Sequence, residues 1–234
     1  KNISNKTESF SRYEFKFSLN KKKADQIENE IKNFMILDPN ADKNKSKKYF
    51  VRSLYFDTPE FSNFYEKVDG IKIRKKFRIR SYSYKKKNDS KIFLEMKGRK
   101  NQKTYKLRTQ ILNEHLDSFI EKKNLFTLIK FYSKNNKVVN DFVYESLKKK
   151  IEPKVIIDYN RRPYINKFGL LFRLTFDTEL KTFSGKDIFN NNNDNVQECS
   201  SGNTILELKF ERSVQPWFHR IIQNYNLKRL SISK

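Results

Sequence analysis

Arg78 and Arg80 lie two residues apart in Phe77-Arg78-Ile79-Arg80-Ser81. Side chains alternate across an extended chain, so both guanidinium groups share one face and Phe77 and Ile79 the other. The pattern recurs at Arg12-Tyr13-Glu14-Phe15-Lys16, Glu95-Met96-Lys97-Gly98-Arg99, Lys106-Leu107-Arg108, Arg173-Leu174-Thr175 and Glu207-Leu208-Lys209. The wet face of an ordinary half-exposed strand carries Thr, Ser, Gln and mixed charge. Here it repeats Arg and Lys with a few Glu, a composition suited to a polyanion. Arginine's planar fork matches phosphate oxygens. Glu14, Glu95 and Glu207 add oxygen ligands of the kind Mg²⁺ or Mn²⁺ takes.

The elements that must position these residues are mostly strands. Phe, Tyr, Ile and Val predict strands over Ser9–Leu19, Lys48–Asp57, Ile71–Tyr84, Lys91–Gly98, Thr104–Gln110, Pro153–Tyr159, Leu170–Asp177, Thr204–Glu211 and Lys228–Ser233. The polar run from Lys85 to Ser90 reads as the turn of an antiparallel hairpin. Helices are expected over Lys21–Leu37, capped by Asn20, and in a short helix opening at Thr58-Pro59-Glu60. Asn113–Lys123, Val138–Lys149 and Pro216–Tyr225 complete the helical set, and Phe189–Val196 reads as a loop. No internal repeat or domain boundary is visible, so 1–234 is expected to form a single domain.

Composition bounds the reading. The 234 residues carry 51 Lys+Arg against 27 Asp+Glu, a formal net charge of +24 that calls for an acidic partner. A chain this charged could be disordered, but 21 Phe and 12 Tyr argue for a folded aromatic core. Much of the bulk charge follows a general richness in Lys and Asn; the registration of Arg and Lys on strand faces does not. Cys199 is the single cysteine, which excludes an internal disulfide and a cysteine-based zinc site. No apolar run approaches the ~18 residues of a membrane span. The start at Lys1, without methionine, reads as a fragment of a longer chain. His115 and His219 fall in helical segments as surface residues, and Tyr55 and Tyr65 read as packing residues with a hydroxyl at the rim.

Helices with apolar stripes can cover only the apolar side of such a sheet, leaving the charged side to solvent or to a lumen. An antiparallel, closed or nearly closed barrel with helices outside, of the α+β class, follows and also removes bare edges. A lumen of like charges is unstable when empty. Two unit charges ~4 Å apart repel by roughly 4 kcal/mol at an effective dielectric near 20. Interleaved carboxylates, water or a bound polyanion must offset this.

The motifs resemble those of the triphosphate tunnel metalloenzymes and, within them, the VTC (vacuolar transporter chaperone) domain, the polyphosphate polymerase branch. The matching pieces, in the family's order, run from Arg12-Tyr13-Glu14-Phe15-Lys16 through Ser53-Leu54-Tyr55-Phe56-Asp57-Thr58, Phe64 to Gly70, and Lys76 to Tyr82. They continue through Phe93 to Lys97, Tyr159-Asn160-Arg161-Arg162, Arg173 to Asp177, Leu206 to Phe210 and Ser231 to Lys234. The resemblance implies a tunnel of antiparallel strands in which basic residues bind ATP and growing polyphosphate while a glutamate holds a divalent metal. Carried over by motif, the phosphate-binding set is Arg12, Lys16, Arg78, Arg80, Lys97, Lys106, Arg161, Arg173 and Lys234, with Ser233 assisting through its hydroxyl. Lys67 and Arg108 match less closely. Glu207 is the first metal ligand, Glu14 and Glu95 second choices.

The implied reaction is transfer of the γ-phosphate of ATP to a polyphosphate chain with Mn²⁺ or Mg²⁺, in which Arg78, Arg80, Lys97 and Glu207 do the catalytic work. None of the five glycines has Walker A spacing, so side chains must replace a glycine-rich loop. Two further readings belong to the same resemblance: an accessory domain that binds polyphosphate without turnover, and an inorganic triphosphatase. ATP and polyphosphate are the expected partners. Nucleic acid is not, and this chain itself is not expected to contact a membrane, though the full-length protein or its complex is free to. The expected location is cytoplasmic-facing, with any tether in parts outside this chain.

Overall fold

The computed structural model describes residues 12–43, 45–86, 90–132, 136–169, 171–189, 196–199 and 202–231. In chain order the elements are β1 (Tyr13–Asn20), α1 (Lys21–Ile31), β2 (Met35–Leu37), α2 (Pro39–Asp42), β3 (Tyr49–Asp57), α3 (Ser62–Val68), β4 (Ile73–Ser81), β5 (Ile92–Lys100) and β6 (Lys103–Ile111). A 3₁₀ turn at Asn113–His115 leads into α4 (Leu116–Glu121), α5 (Leu125–Phe131) and α6 (Lys137–Lys148). Then come β7 (Glu152–Asn166), β8 (Phe172–Ser184), β9 (Val196–Glu198), β10 (Asn203–Phe210) and α7 (Pro216–Asn224). The class is α+β. The pairs β1–β10, β10–β8, β2–β7, β3–β4, β4–β5 and β5–β6 are all antiparallel.

The chain forms two compact units. The first contains Val51–Ile157 and Thr182–Val196. Its strands are hydrogen-bonded in the order β7-β3-β4-β5-β6. Arg78 stands opposite Glu95 and Tyr55, and Lys97 opposite Lys76 and Lys106. The alternate positions Leu54, Phe56, Phe77, Ile79, Leu94, Met96 and Leu107 all enter one apolar core with Phe119, Val139 and Phe142 from α4 and α6. Period-two alternation thus separates a charged face from a core face.

The second unit contains Ser11–Phe50, Asp158–Lys181 and Gln197–Lys234. Its strand order is β1-β10-β8-β7, with β2 on β7. Lys16 faces Glu207, and Glu207 faces Thr175. The opposite face (Phe17, Leu174, Phe176, Leu206, Leu208) packs with Ile27 and Ile31 of α1 and Phe218 and Ile221 of α7.

The structure departs from the sequence expectations at several ends. Asn20 does cap α1, its side chain accepting from the Lys23 amide at 2.8 Å. However, α1 stops at Ile31 rather than Leu37, because Met35–Leu37 pair with Asn166–Tyr164 of β7. Strand pairing overrides a helical periodicity that Phe34 would extend; Phe34 instead stacks on Trp217 with centroids 4.5 Å apart. Pro59 and Glu60 form a turn, and the helix begins at Ser62. β7 runs seven residues past Tyr159 despite Pro163, whose carbonyl accepts from the Asp38 amide. Lys228–Ser231 is not a strand, although Leu230 N–H donates to the Lys16 carbonyl. No helix among the described residues is long and apolar enough to cross a membrane.

Gly98 is required by a close approach. It faces Tyr105 across the β5–β6 ladder, and a Cβ there would lie 1.9 Å from Tyr105 Cζ. Gly98→Ala is expected to displace the ring and lower stability by about 1–3 kcal/mol, read by thermal denaturation. An unchanged melting temperature would show that the ring moves aside freely.

Candidate phosphate-binding clusters

The charged face of the first unit centres on Glu95. Its carboxylate is fully buried. Arg78 Nε donates to Glu95 Oε2 at 2.7 Å and Arg78 Nη2 lies 2.6 Å from the same oxygen. Lys106 Nζ is 3.3 Å from Oε1, and Arg80 Nη1 is 3.8 Å from Oε2. Burial alone would raise the Glu95 pKa. The charges of Arg80, Arg78 and Lys106 outweigh it and hold the carboxyl well below its usual range. Glu95 is therefore an anion at neutral pH that fixes three cations of one face.

Tyr55 completes the grip on Arg78, accepting from Nη1 at 2.7 Å. Burial pushes its phenol upward, but Arg78, Arg80 and Lys97 pull it below the usual value. The sequence points to Tyr55 as a packing residue with its hydroxyl at the rim; register with Arg78 puts that hydroxyl on the charged face. Lys76 belongs to this face as well, although it is not in the phosphate-binding set carried over from the matching stretch it opens; the spacing Arg74, Lys76, Arg78, Arg80 carries the signal. It is depressed first by burial; Asp57 and Tyr55 support its charge while Lys67 and Arg74 oppose it. Lys67, on α3, is thus brought within electrostatic reach of this face. Asp57 fixes α3 by accepting from the amides of Asn63 and Phe64 at 2.8 and 3.2 Å.

Lys106 provides a pH prediction. Burial pulls its pKa down to about 8; Glu95 opposes this, while Arg80, Arg78 and Arg108 reinforce it. The ammonium is charged below pH 8 and neutral above. Tripolyphosphate affinity is expected to fall as pH rises through 8, and Lys106→Arg to flatten that profile in calorimetric titrations. Identical profiles for both proteins would exclude Lys106 from the anion site.

The second unit holds a separate cluster. Arg161 makes a two-pronged bond to Asp177, both contacts 2.7 Å, and its Nη2 is 3.8 Å from Glu207 Oε2. Lys209 Nζ lies 2.6 Å from Glu207 Oε1, and Lys16 Nζ 2.7 Å from Glu14 Oε1. Burial and the nearby Glu14 charge push the Glu207 carboxyl up. Lys209, Lys16 and Arg161 prevail and keep it ionised below its usual range. Asp177 could not be found from spacing, because it meets Arg161 only through strand pairing. Arg173 faces Lys209 in register but its guanidinium reaches Asp38 at 2.5 Å. Arg12 precedes β1 at a half-buried position. Ser233 and Lys234 lie outside the described residues. The segment before them is held to β1 by Leu230 and by Arg229, which stands 4.0 Å over the Phe15 ring.

Among the described residues no group of three or more His, Cys, Asp or Glu is arranged to hold a metal. Two neighbouring carboxylates, Glu14 and Glu207, still suit Mg²⁺ or Mn²⁺, which are commonly held by one or two carboxylates plus substrate phosphates. Their mutual repulsion, evident in the upward push of Glu14 on Glu207, is what a cation would relieve. Both oxygens of Glu95 are engaged by Arg78 and Lys106; the Glu207 oxygens likewise face Lys209 at 2.6 Å and Arg161 at 3.8 Å, but Glu207 also has a second carboxylate beside it.

The family model described as the VTC domain matches residues 11–234. No curated protein sequence matches the chain. A candidate adenylate cyclase from Bacillus halodurans superposes with a TM-score of 0.53 at 8% identity, covering 97% of this chain and 95% of that one. A candidate adenylyl cyclase from Hippeastrum, whose structure is described as revealing a dominant triphosphatase activity, gives 0.53 at 12% identity, covering 95% and 92%. These likenesses show the fold: the antiparallel α+β arrangement expected from the sequence.

Proposed function

The chain belongs to the VTC domain family, and from that premise we propose that it is a metal-dependent ATP–polyphosphate phosphotransferase. One observation carries the proposal: Arg78, Arg80, Lys97 and Lys106 occupy one face of β4, β5 and β6 in register, while the opposite face is core. Arg78, Arg80 and Lys106 of this face are held by Glu95 before any ligand arrives, so little reorganisation of these three is needed when phosphate oxygens bind.

In the proposed reaction a terminal oxygen of the acceptor polyphosphate attacks the γ-phosphorus of ATP in line. A new P–O bond forms as the bond to the β-γ bridging oxygen breaks, and ADP departs with the electron pair. No nucleophilic side chain is needed; positioning and charge stabilisation do the work. Arg78, Arg80, Lys97 and Lys106 hold phosphate oxygens in the first unit. Arg12, Lys16, Arg161 and Arg173 are assigned the same role in the second, with Lys67, Ser233 and Lys234 as further contacts. Glu207, seconded by Glu14, would hold Mn²⁺ or Mg²⁺, which when bound neutralises charge on the phosphate oxygens. Glu95 instead orients Arg78.

A tunnel-type triphosphatase is the second reading, supported by the activity described for the Hippeastrum protein. Incubation with ATP and Mn²⁺, followed by gel separation, distinguishes the two. Long phosphate chains with ADP support the polymerase; free phosphate supports hydrolysis; binding without turnover supports an accessory role.

A further inference from the structure

One residue on the charged face of the first unit breaks its chemistry. Phe93 occupies the same alternate positions of β5 as Glu95 and Lys97, where polar groups prevail, yet it is aromatic and only half-buried. It stands directly opposite Arg80 on β4 and Gln110 on β6. The Arg108 guanidinium lies 4.4 Å over its ring. Tyr82, just beyond the end of β4 and 38% exposed, meets it edge-on with centroids 6.1 Å apart. The basic face therefore ends in an aromatic platform backed by a planar cation.

We propose that this platform, Phe93 with Tyr82 and Arg108, binds the base of a nucleoside triphosphate whose phosphates lie along Arg80, Arg78 and Lys97. The inference rests on the phosphate-transfer reading and adds a donor-specific subsite to it. A base presents a π-face that stacks on aromatic rings and on guanidinium planes. Inorganic phosphate chains have no such group and gain nothing from Phe93. Between Phe93 and Lys97 the strand advances about 13 Å at ~3.3 Å per residue, room for an extended nucleotide lying along it. The same placement separates the two substrates: the nucleotide donor uses the aromatic end, the polyphosphate acceptor only the cations.

The test compares ATP with inorganic tripolyphosphate by calorimetric titration of wild type and Phe93→Ala, with Tyr82→Ala as a second variant at a more exposed position. Loss of stacking is expected to weaken ATP by roughly five- to a hundredfold while tripolyphosphate affinity stays within twofold. Equal losses for both ligands, or none for ATP, overturn the proposal. Wild-type protein that fails to bind tripolyphosphate at all overturns the phosphate-transfer reading itself. Photolabelling of the wild type with 8-azido-ATP needs no variant to fold. Label on the peptides containing Tyr82, Phe93 or Arg108 supports the platform, and label confined elsewhere refutes it.

Discussion

Glu95→Ala is expected to destabilise the protein by about 3–5 kcal/mol, the range for breaking a buried ion pair by removing one partner. Glu95 is fully buried and holds Arg78 through two contacts, with Lys106 and Arg80 beside it. Its loss leaves the Arg78 and Arg80 side chains, themselves 12% and 6% exposed, without their shared counter-charge. Equilibrium denaturation in urea measures the effect. Because the folded carboxyl is depressed, its contribution is complete above the unfolded carboxyl's range near ~4 and is lost as pH falls towards the lower folded value. The gap between wild type and variant should narrow in acid. Added tripolyphosphate should restore part of the variant's stability, since an anion replaces the missing charge. A variant as stable as wild type at pH 7 would show that solvent already neutralises the face.

Glu207→Gln is expected to lower metal-dependent turnover by ~10²-fold or more, the scale on which loss of one preorganised electrostatic group acts. The amide keeps the shape and can still accept from Lys209, whose Nζ lies 2.6 Å from the native carboxylate. Phosphate affinity should hold or rise, since Arg161, Lys209 and Lys16 lose a competing anion. A Mn²⁺ titration of the rate beside a tripolyphosphate titration separates these effects. Full activity in the variant removes Glu207 from the metal site.

How much of the molecule is legible in the chain depends on the range of the interaction. Alternation is local, so the sequence by itself places Arg78, Arg80, Lys97 and Lys106 on one face, and the ladder from Tyr55 to Lys106 has that face. Lys76 follows the same period, but the motif around it draws attention to Arg78 and Arg80 instead. Long-range choices are not legible. Whether Met35–Leu37 finishes α1 or joins β7 depends on a partner more than 120 positions away in the chain, at Tyr164–Asn166. The Asp177 clamp on Arg161 likewise arises from the pairing of β7 with β8, and the Asp38 contact to Arg173 from a helix-capping residue 135 positions away. The terminal Ser233-Lys234 assignment rests on family motif alone and lies outside the described residues.

The central claim is that the strand-registered cations, rather than the general positive charge, hold phosphate. Tripolyphosphate titration of three proteins at one salt concentration tests it: wild type, Arg78→Ala and Lys123→Ala, the last removing a solvent-exposed charge that pairs with Glu121. The two variants lose the same formal charge. The account predicts at least a tenfold loss of affinity for Arg78→Ala and none beyond error for Lys123→Ala; equal affinities for the two would contradict it.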